Sequence, residues 1–196
     1  MNLLPATERI VLLDASGKPV GTAPKVASHG IDTPLHLGFS CHLLNHQGQT
    51  LVTRRALSKI SWPGVWTNSF CGHPQPGEPV VSAVQRRAQH ELGLRLSSIE
   101  LALPDFRYHA TDPSGVVENE VCPVYIAQCS AMPAPRDTEV MDLAWVDPGE
   151  LGAAIRLSPW AFSPWLVLQA GLLPMFGGSG EDTLPRPPAT LQRLPE

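Results

Sequence analysis

The chain has 196 residues and a mass of 21.2 kDa, which fits one compact domain and excludes a large multidomain assembly. Hydrophobic residues make up 43% of the chain, charged residues 16%, and the formal net charge is -4, so the composition favours a packed core over a disordered chain. With 14 Lys and Arg against 18 Asp and Glu, we expect neither nucleic acid nor an acidic membrane as a partner.

The first part of the chain is predicted to form strands. Residues 9–14 are a short apolar run, and a second strand can begin at Pro19 after a turn. Two further strand-like runs, 36–44 and 49–54, are separated by residues 45–48, whose Asn and Gly suit a tight hairpin. An antiparallel pair is therefore expected here.

The middle of the chain changes from loop to helix. Residues 62–77 are rich in Pro, Gly and Trp, which predicts an ordered loop with a short strand around 70–73. After this loop, apolar residues recur at helical spacing and Gly93 follows as a stop signal. We expect a helix over residues 79–92.

The remaining elements are mixed. Residues 121–127 and 140–146 are strand candidates, and Asp147-Pro148 and Ser163-Pro164 each combine an N-cap residue with proline at the first helical position. Residues 177–196 are rich in Gly and Pro, which predicts a mobile tail behind a single domain of residues 1–176. Because hairpins replace a regular strand-helix alternation, the predicted fold class is α+β, with a mixed β-sheet covered by helices.

The N-terminus, the C-terminal region and the cysteines indicate where the protein is located. The N-terminal MNLLPATER resembles neither a secretory signal nor a transit peptide, and the uncharged run 157–180 is interrupted by Pro and Gln, which favours a buried helix over a membrane span. No CxxC pair occurs, so we expect reduced thiols in a cytoplasmic protein. The cysteines are Cys41, Cys71, Cys122 and Cys129.

Two pairs of residues show a spacing of two, which places their side chains on one face of a strand. The carboxylates of Glu118 and Glu120 repel each other unless they share a proton or a cation, so they indicate acid-base chemistry or a metal, with a solvated strand end as the alternative. Cys71 and His73 form the second pair. A cation beside a thiol makes loss of its proton easier, so Cys71 is either a nucleophile or acid-base group, or a small core residue.

Several other residues can bind a metal or an anion, with structural histidines and ordinary surface charges as the alternatives. Three imidazoles and two carboxylates make a set suited to manganese, magnesium or zinc: His29, His36, His73, Glu118 and Glu120. Basic residues that can form an anion-binding rim are Lys25, Arg55, Lys59 and Arg87.

A loop-helix motif is more specific than these spacings. Its pattern is that of the Nudix box, G-x5-E-x7-R-E-U-x-E-E-x-G-U, which binds a metal diphosphate, and the matching positions are Gly72, Glu78, Arg86, Glu91, Gly93 and Leu94. The sequence thus resembles the Nudix fold. Arg87 and His90, however, stand where two acidic residues of the motif belong, so most of the carboxylate cluster that Nudix hydrolases use to activate water is missing.

Longer strings resemble a particular Nudix-like family, the type I isopentenyl diphosphate isomerases. They are TRRALSKISWPGVWTNSFCGHPQPGE (53–78), FRYHATDPSGVVENEVCPV (106–124) and PWAFSPW (159–165), and the resemblance covers roughly residues 7–171. It implies a Nudix-like α+β fold and interconversion of isopentenyl and dimethylallyl diphosphate by a 1,3-allylic proton shift, without a redox cofactor. The implied partner is a small prenyl diphosphate, and we favour a monomer.

The same resemblance implies roles for individual residues. Cys71 and Glu120 are the catalytic pair, Tyr108 lies beside Glu120, and Trp165 lies against the hydrocarbon. Glu91 holds the Mg²⁺ bound to the substrate diphosphate. The ligands of a second ion, Mn²⁺ or Zn²⁺, are His29, His36, His73, Glu118 and Glu120. The residues at the diphosphate are Lys25, Arg55, Lys59 and Arg87.

Two other functions remain open at this point. A Nudix-type diphosphate hydrolase is favoured by Glu78 and Glu91 but opposed by Arg87 and His90. A non-catalytic protein that binds a metal or a prenyl diphosphate requires the same site with one chemical group disabled, yet both Cys71 and Glu120 are intact. For the isomerase we expect Glu120, with Tyr108, to move one proton and Cys71 the other, while the π face of Trp165 stabilises the carbocation.

Overall fold

The computed structural model describes residues 8–178, which form twelve strands and four helices. The strands are β1 (Arg9–Leu13), β2 (Pro19–Pro24), β3 (His36–Leu37), β4 (Phe39–Leu44), β5 (Thr50–Arg55), β6 (Trp66–Thr67), β7 (Phe70–Gly72), β8 (Ser98–Leu103), β9 (Arg107–Thr111), β10 (Val117–Val121), β11 (Val124–Gln128) and β12 (Val140–Val146). The helices are α1 (Lys25–Ser28), α2 (Val80–Leu92), α3 (Pro148–Leu157) and α4 (Pro164–Leu172), with 3-10 turns at Pro159–Ala161 and Pro174–Phe176. None of the helices within residues 8–178 combines the length and apolar character needed to span a bilayer.

The strands form two mixed sheets. The first has the order β2-β1-β3-β10-β9, and the second has the order β12-β5-β4-β11-β8, with β6 paired to β5 and β7 to β4. The β3/β10 and β4/β11 pairs are parallel, whereas the other pairs are antiparallel. The predicted α+β class with a mixed sheet covered by helices is therefore confirmed.

Two predicted strands are each divided between the two sheets, which corrects the sequence prediction. The run 36–44 breaks at Gly38, whose N–H donates to the carbonyl of Val121 over 2.9 Å, so β3 and β4 lie in different sheets. The run 121–127 breaks at Pro123, which has no N–H to offer a ladder, and β10 and β11 separate in the same way. The apolar character of each run continues across its break, so hydrophobicity alone did not reveal the breaks, and only Val121 of β10 lies within the predicted run 121–127.

Helices cover both faces of the second sheet. On one face, α2 packs through Ala83, Val84 and Ala88 against side chains of β4 and β5. On the other face, α3 and α4 pack over a second cluster that includes Trp165. This second cluster surrounds the side chains discussed below.

The helix boundaries agree with the capping signals. Gly93 ends α2 at a φ of 67°, a conformation that costs glycine little, and its N–H bonds to carbonyls of the last turn. Asp147 accepts a hydrogen bond from the N–H of Glu150, and Ser163 accepts one from Leu166, as N-caps of α3 and α4.

Other predictions are incomplete. The loop 62–77 contains β7 as expected but also β6, and β8, β9 and α1 had no sequence prediction. Apart from residues 177–178, the predicted mobile tail lies outside the described residues. The boundary of the domain at residue 176 therefore stays a prediction.

Candidate metal centre and active-site cavity

Three imidazole rings come together in a buried group. His29 follows α1, His36 lies in β3 and His73 follows β7, and their ring centroids are 4.9, 5.0 and 5.4 Å apart. Three elements distant in sequence thus deliver one imidazole each. A structural role was the alternative for a single histidine. These three histidines adjoin one another, so that alternative does not apply to them.

The two carboxylates reach the same place through β10. Glu118 and Glu120 are only 7% and 5% exposed, so the solvated strand end considered above is excluded. In the parallel pair of β10 with β3, Glu120 lies opposite His36, and in the antiparallel pair with β9 it lies opposite Tyr108. Residues directly opposite share a face of the sheet, so the register places these side chains together.

Direct contacts join the carboxylates to the imidazoles. Oε1 of Glu120 is 3.0 Å from Nε2 of His73 and 3.5 Å from Nε2 of His36. Oε2 of Glu118 is 3.5 Å from Nε2 of His29. Burial opposes ionisation of Glu120, but hydrogen bonds with His36 and His73 hold its pKa well below the usual range, so Glu120 is a carboxylate at neutral pH.

Backbone carbonyls fix the tautomers of two of the imidazoles. Nδ1 of His36 is 2.9 Å from the carbonyl of Pro34, and Nδ1 of His29 is 2.7 Å from that of Lys25. A carbonyl can only accept, so each Nδ1 carries a proton and Nε2 is the nitrogen that faces the group. This arrangement is typical of histidines that bind metals.

The five residues fit a divalent metal ion. Nε2 of His36 lies 3.1 Å from Nε2 of His73, and burial lowers the pKa of His73 to about 4, so an extra proton is not held there at neutral pH. Among the described residues, Oε2 of Glu118 and Nδ1 of His73 are buried without a hydrogen-bond partner. Two overlapping groups of potential ligand atoms share His36, and within each group the atoms lie within 4.8 Å of one another: His29, His36 and His73, and His36, Glu118 and Glu120. Nitrogen and carboxylate donors of this kind suit a divalent cation.

A glycine allows Glu120 its position. A Cβ at Gly38 would lie 2.3 Å from Oε2 of Glu120, well inside van der Waals contact. The break between β3 and β4 therefore has a second role beyond topology, because only glycine leaves room for the carboxylate.

Cys71 lies in β7 and lines a cavity at the edge of the second sheet. The other residues lining it are Thr53, Arg55, Lys59, Thr67, Phe70, Glu91, Glu139 and Val140. A more acidic thiol was expected from the nearby cations, but burial raises the pKa of Cys71 to about 11. The thiol therefore keeps its proton at neutral pH.

The aromatic residues named from the sequence adjoin one another. The Trp165 ring is 5.6 Å from Tyr108 and 5.5 Å from Trp62, measured between centroids, and Cζ of Arg55 lies 5.4 Å above Trp165. Trp165 is 2% exposed and Tyr108 9%. They form an apolar wall from which water is excluded, with a cation already stacked on the indole.

The four predicted anion-binding cations are paired within the structure. Nζ of Lys25 is 2.8 Å from Glu8, and Lys59 contacts Glu139. Arg87 is 4% exposed and donates from Nε to Glu91 over 2.9 Å, so the helical i, i+4 pair is present and buried. Arg87 is therefore not an exposed surface charge, which was the alternative considered from the sequence.

Arg55 is held differently from the other three cations. Its guanidinium donates to the carbonyls of Ser61 and Trp62 over 2.8 and 3.1 Å. Two carboxylates of the basic rim, Glu8 and Glu139, were missed by the sequence interpretation. Neither residue belongs to a local motif or period, so no signal in the sequence identified them.

The Nudix-like loop and helix are braced by one ion pair. Arg86 donates from Nε and Nη2 to the two oxygens of Glu78 over 2.8 and 2.7 Å, and Nη2 also reaches the carbonyl of His73 over 3.1 Å. This bidentate contact ties α2 to the loop that carries the imidazole. Glu91, by contrast, belongs to the cavity and to Arg87, and not to the five-residue group.

Comparisons with known proteins agree with this geometry. The NUDIX domain family matches residues 34–166. Isopentenyl-diphosphate Delta-isomerase of Agromyces mediolanus is 62% identical over 176 residues, which are 90% of this chain and 85% of the relative. The protein of the same name from Escherichia coli strain K12 is 57% identical over 164 residues, 84% of this chain and 90% of the relative.

Solved structures share the fold. The crystal structure of DR0079 from Deinococcus radiodurans aligns with a TM-score of 0.59 and 25% identity, covering 76% of this chain and 90% of that chain. The MutT protein from Methanosarcina mazei Go1 aligns with a TM-score of 0.54 and 16% identity, covering 74% and 91%. The expected Nudix-like fold is thereby confirmed.

Proposed function

Because this chain belongs to the isopentenyl-diphosphate Delta-isomerases of the NUDIX domain family, we propose that it interconverts isopentenyl and dimethylallyl diphosphate. One observation carries the proposal beyond the identity of the sequences. A buried, ionised Glu120 held by imidazoles and a partly buried, protonated Cys71 are both present, so the site holds one group without a proton and one group with a proton. A 1,3-allylic shift requires this combination, because one carbon of the substrate gains a proton and another loses one.

A metal bound by the histidines and glutamates would orient Glu120. His29, His36, His73, Glu118 and Glu120 would hold Mn²⁺ or Zn²⁺, which would supply positive charge beside the carboxylates and hold Glu120 in one orientation. The phenol of Tyr108 lies opposite Glu120 in the β9/β10 pair, so it can pass a proton between that carboxylate and the substrate. Burial raises the pKa of Tyr108 well above its usual value, so the phenol keeps its own proton at rest.

Basic side chains would bind the diphosphate end of the substrate, and aromatic side chains would surround its hydrocarbon end. Lys25, Arg55, Lys59 and Arg87 would bind the diphosphate, with Glu91 holding its Mg²⁺. Carboxylates keep Lys25, Lys59 and Arg87 ordered before substrate arrives, and backbone carbonyls do the same for Arg55. The side chains of Trp62, Tyr108 and Trp165 lie together beside Arg55, and they would exclude the water that would otherwise capture a tertiary carbocation. Trp165 would stabilise that cation through its π face.

The reaction itself tests this function. The purified protein is incubated with isopentenyl diphosphate and Mg²⁺, with and without added Mn²⁺ or Zn²⁺, and the products are separated by chromatography. Formation of dimethylallyl diphosphate is the expected result. Release of phosphate or of the monophosphate would indicate a Nudix-type hydrolase instead, and binding of intact substrate under every metal condition would indicate a non-catalytic protein.

A further inference from the structure

The long uncharged segment of the C-terminal region contains a buried amide. Gln169 lies in α4 and is 0% exposed, although a buried polar side chain is costly unless its hydrogen bonds are satisfied. It follows Trp165 by four residues, so both side chains lie on the same face of the helix. This face points to β4 and to the loop before β7.

Gln169 is satisfied by two residues of β4. Its Oε1 is 2.9 Å from Nε2 of His42, and its Nε2 donates to Oγ of Ser40 over 2.9 Å. An amide nitrogen can only donate, so Ser40 must accept from Gln169 and its own hydroxyl proton is directed elsewhere. The sulfurs of Cys71 and Cys122, at 3.4 and 3.5 Å, are the acceptors within reach.

The other residue of the helix face reaches the same cysteine by a second route. Nε1 of Trp165 donates to Oδ1 of Asn68 over 2.9 Å, and the Cys71 thiol donates to the same oxygen over 3.3 Å. The amide nitrogen of Asn68 is fixed by the carbonyls of Cys41 and Phe70 at 3.0 and 2.8 Å. Asn68 therefore presents its oxygen in one orientation.

The sulfur of Cys71 thus lies between Ser40 and Asn68, and each of these is held by one side chain of α4. Ser40 also pairs with Cys71 across the β4/β7 strands, so the two side chains lie on one face. We propose that Gln169 is a positioning residue, which acts through Ser40 to hold the Cys71 sulfur at the place where it exchanges a proton with the substrate. This inference rests on the proposed function of Cys71.

Steady-state kinetics of three variants test the proposal. Ser40→Ala removes the contact to sulfur but leaves Gln169 and His42 paired, whereas Gln169→Leu removes the donor to Ser40. A displaced catalytic group loses rate and not substrate affinity, so kcat is expected to fall about tenfold in each variant while KM changes by less than about twofold. Because both changes act along one route, the double variant should lose no more kcat than the single variants.

Deuterium exchange separates positioning from general damage. In deuterated water, the Ser40→Ala variant should change the ratio of deuterium incorporated at the two exchanging carbons, since only the proton transfer by Cys71 is slowed. Ser69→Ala is the matched control, because Ser69 is also fully buried but bonds to the backbone of Leu43 and Leu51 away from the sulfur. It should lower the melting temperature without altering kcat or the ratio.

The possible outcomes decide between the accounts. An unchanged kcat in Ser40→Ala, an unchanged deuterium ratio, or additive losses of kcat in the double variant would each overturn the positioning role. A wild-type protein that forms no dimethylallyl diphosphate would instead contradict the proposed function itself. The two failures are therefore distinguishable.

Discussion

Glu118 illustrates how a single residue indicates the chemistry of the site. One of its oxygens accepts from Ser61, while the other is buried without a hydrogen-bond donor among the described residues. A buried, unpaired carboxylate oxygen is costly, and a bound cation removes that cost. The position of this oxygen therefore favours a cation beside Glu118.

Replacing Glu118 tests the metal centre. Glu118→Gln keeps the volume of the side chain but removes its charge, so the affinity for Mn²⁺ or Zn²⁺ should fall at least about tenfold. The metal content of the purified protein, measured by elemental mass spectrometry, should fall with it. Glu100→Gln, on an exposed position of β8, is the control and should keep the wild-type content. Equal metal content in both variants would contradict the assignment of Glu118 as a ligand.

Gly38 makes a second prediction at the scale of one residue. In Gly38→Ala the new methyl group would overlap Oε2 of Glu120, so the carboxylate must turn away from the imidazoles. We expect turnover to fall about 10²-fold, as for misplacement of a catalytic group by about 1 Å, with weaker metal binding. Gly21→Ala on β2 has no atom within 4 Å and should behave as wild type in the same assays. An active, metal-loaded Gly38→Ala protein would show that the close approach is not required.

At the scale of elements, the sequence predicted the bounds of helices and strands best where the whole element packs in one sheet or on one face of a sheet. The helix α2 and the strand β12 were placed within a residue of their bounds because period and capping signals agree there. The runs 36–44 and 121–127 were each predicted as one strand, since an apolar pattern is continuous across a change of sheet. That change depends on pairing between segments some 85 residues apart, which no local window contains.

For the site, too, the sequence predicted relations between neighbouring residues but not contacts between distant segments. The spacing of two predicted that Glu118 and Glu120 share a face, and the structure agrees. Convergence of the five-residue group depended on the family resemblance, because its members come from four separate segments. No pattern in the sequence predicted the roles proposed for Ser40 and Gln169. The two residues contact each other only in the folded chain and lie far apart in sequence.

The contact between β4 and α4 predicts a dependence of stability on pH. Burial lowers the pKa of His42 from 6.5 to about 4, so between these values the unfolded chain binds a proton that the folded chain does not. The free energy of unfolding therefore falls as the pH decreases from 6.5 towards 4, by up to about 1.4 kcal/mol per pH unit for this group. The stabilisation is fully present above pH 6.5.

Urea unfolding at several pH values measures this effect. His42→Gln keeps a donor for Gln169 but does not titrate, so its free energy of unfolding should depend less steeply on pH in this window than that of the wild type. His73 also has a lowered pKa but is present in both proteins, and its contribution cancels in the difference. The exposed His46, replaced by Gln, should leave the slope unchanged. Identical slopes for wild type and His42→Gln would contradict the account.

At the scale of the whole molecule, the second core is closed by the end of the described chain. Phe176 is 0% exposed, its carbonyl accepts from Arg156 over 2.9 Å, and a Cβ at Gly152 would approach that carbonyl to 2.0 Å. The wall around Trp165 is thus completed by residues that follow the last helix. Packing around Trp165 and stability of the fold are therefore linked at this end.

Stability measurements on two variants test this boundary. Phe176→Ala should lower the free energy of unfolding by about 3 to 5 kcal/mol, the usual cost of deleting a buried aromatic ring. Ending the chain after Gly178 retains the buried Phe176 and its contact with Arg156, so the free energy of unfolding should stay unchanged. Urea unfolding followed by circular dichroism gives both values. A small loss in Phe176→Ala, or a large one on truncation, would show that the core is closed differently.

The central claim is that Cys71 and Glu120 each move one proton of a prenyl diphosphate. Nuclear magnetic resonance in deuterated water measures it most directly, with isopentenyl diphosphate, Mg²⁺ and metal-loaded protein. Wild type should form dimethylallyl diphosphate with incorporated deuterium, whereas Cys71→Ala and Glu120→Gln should each lose about 10² to 10⁴ in rate. Isomerisation near the wild-type rate by either folded variant would contradict the claim.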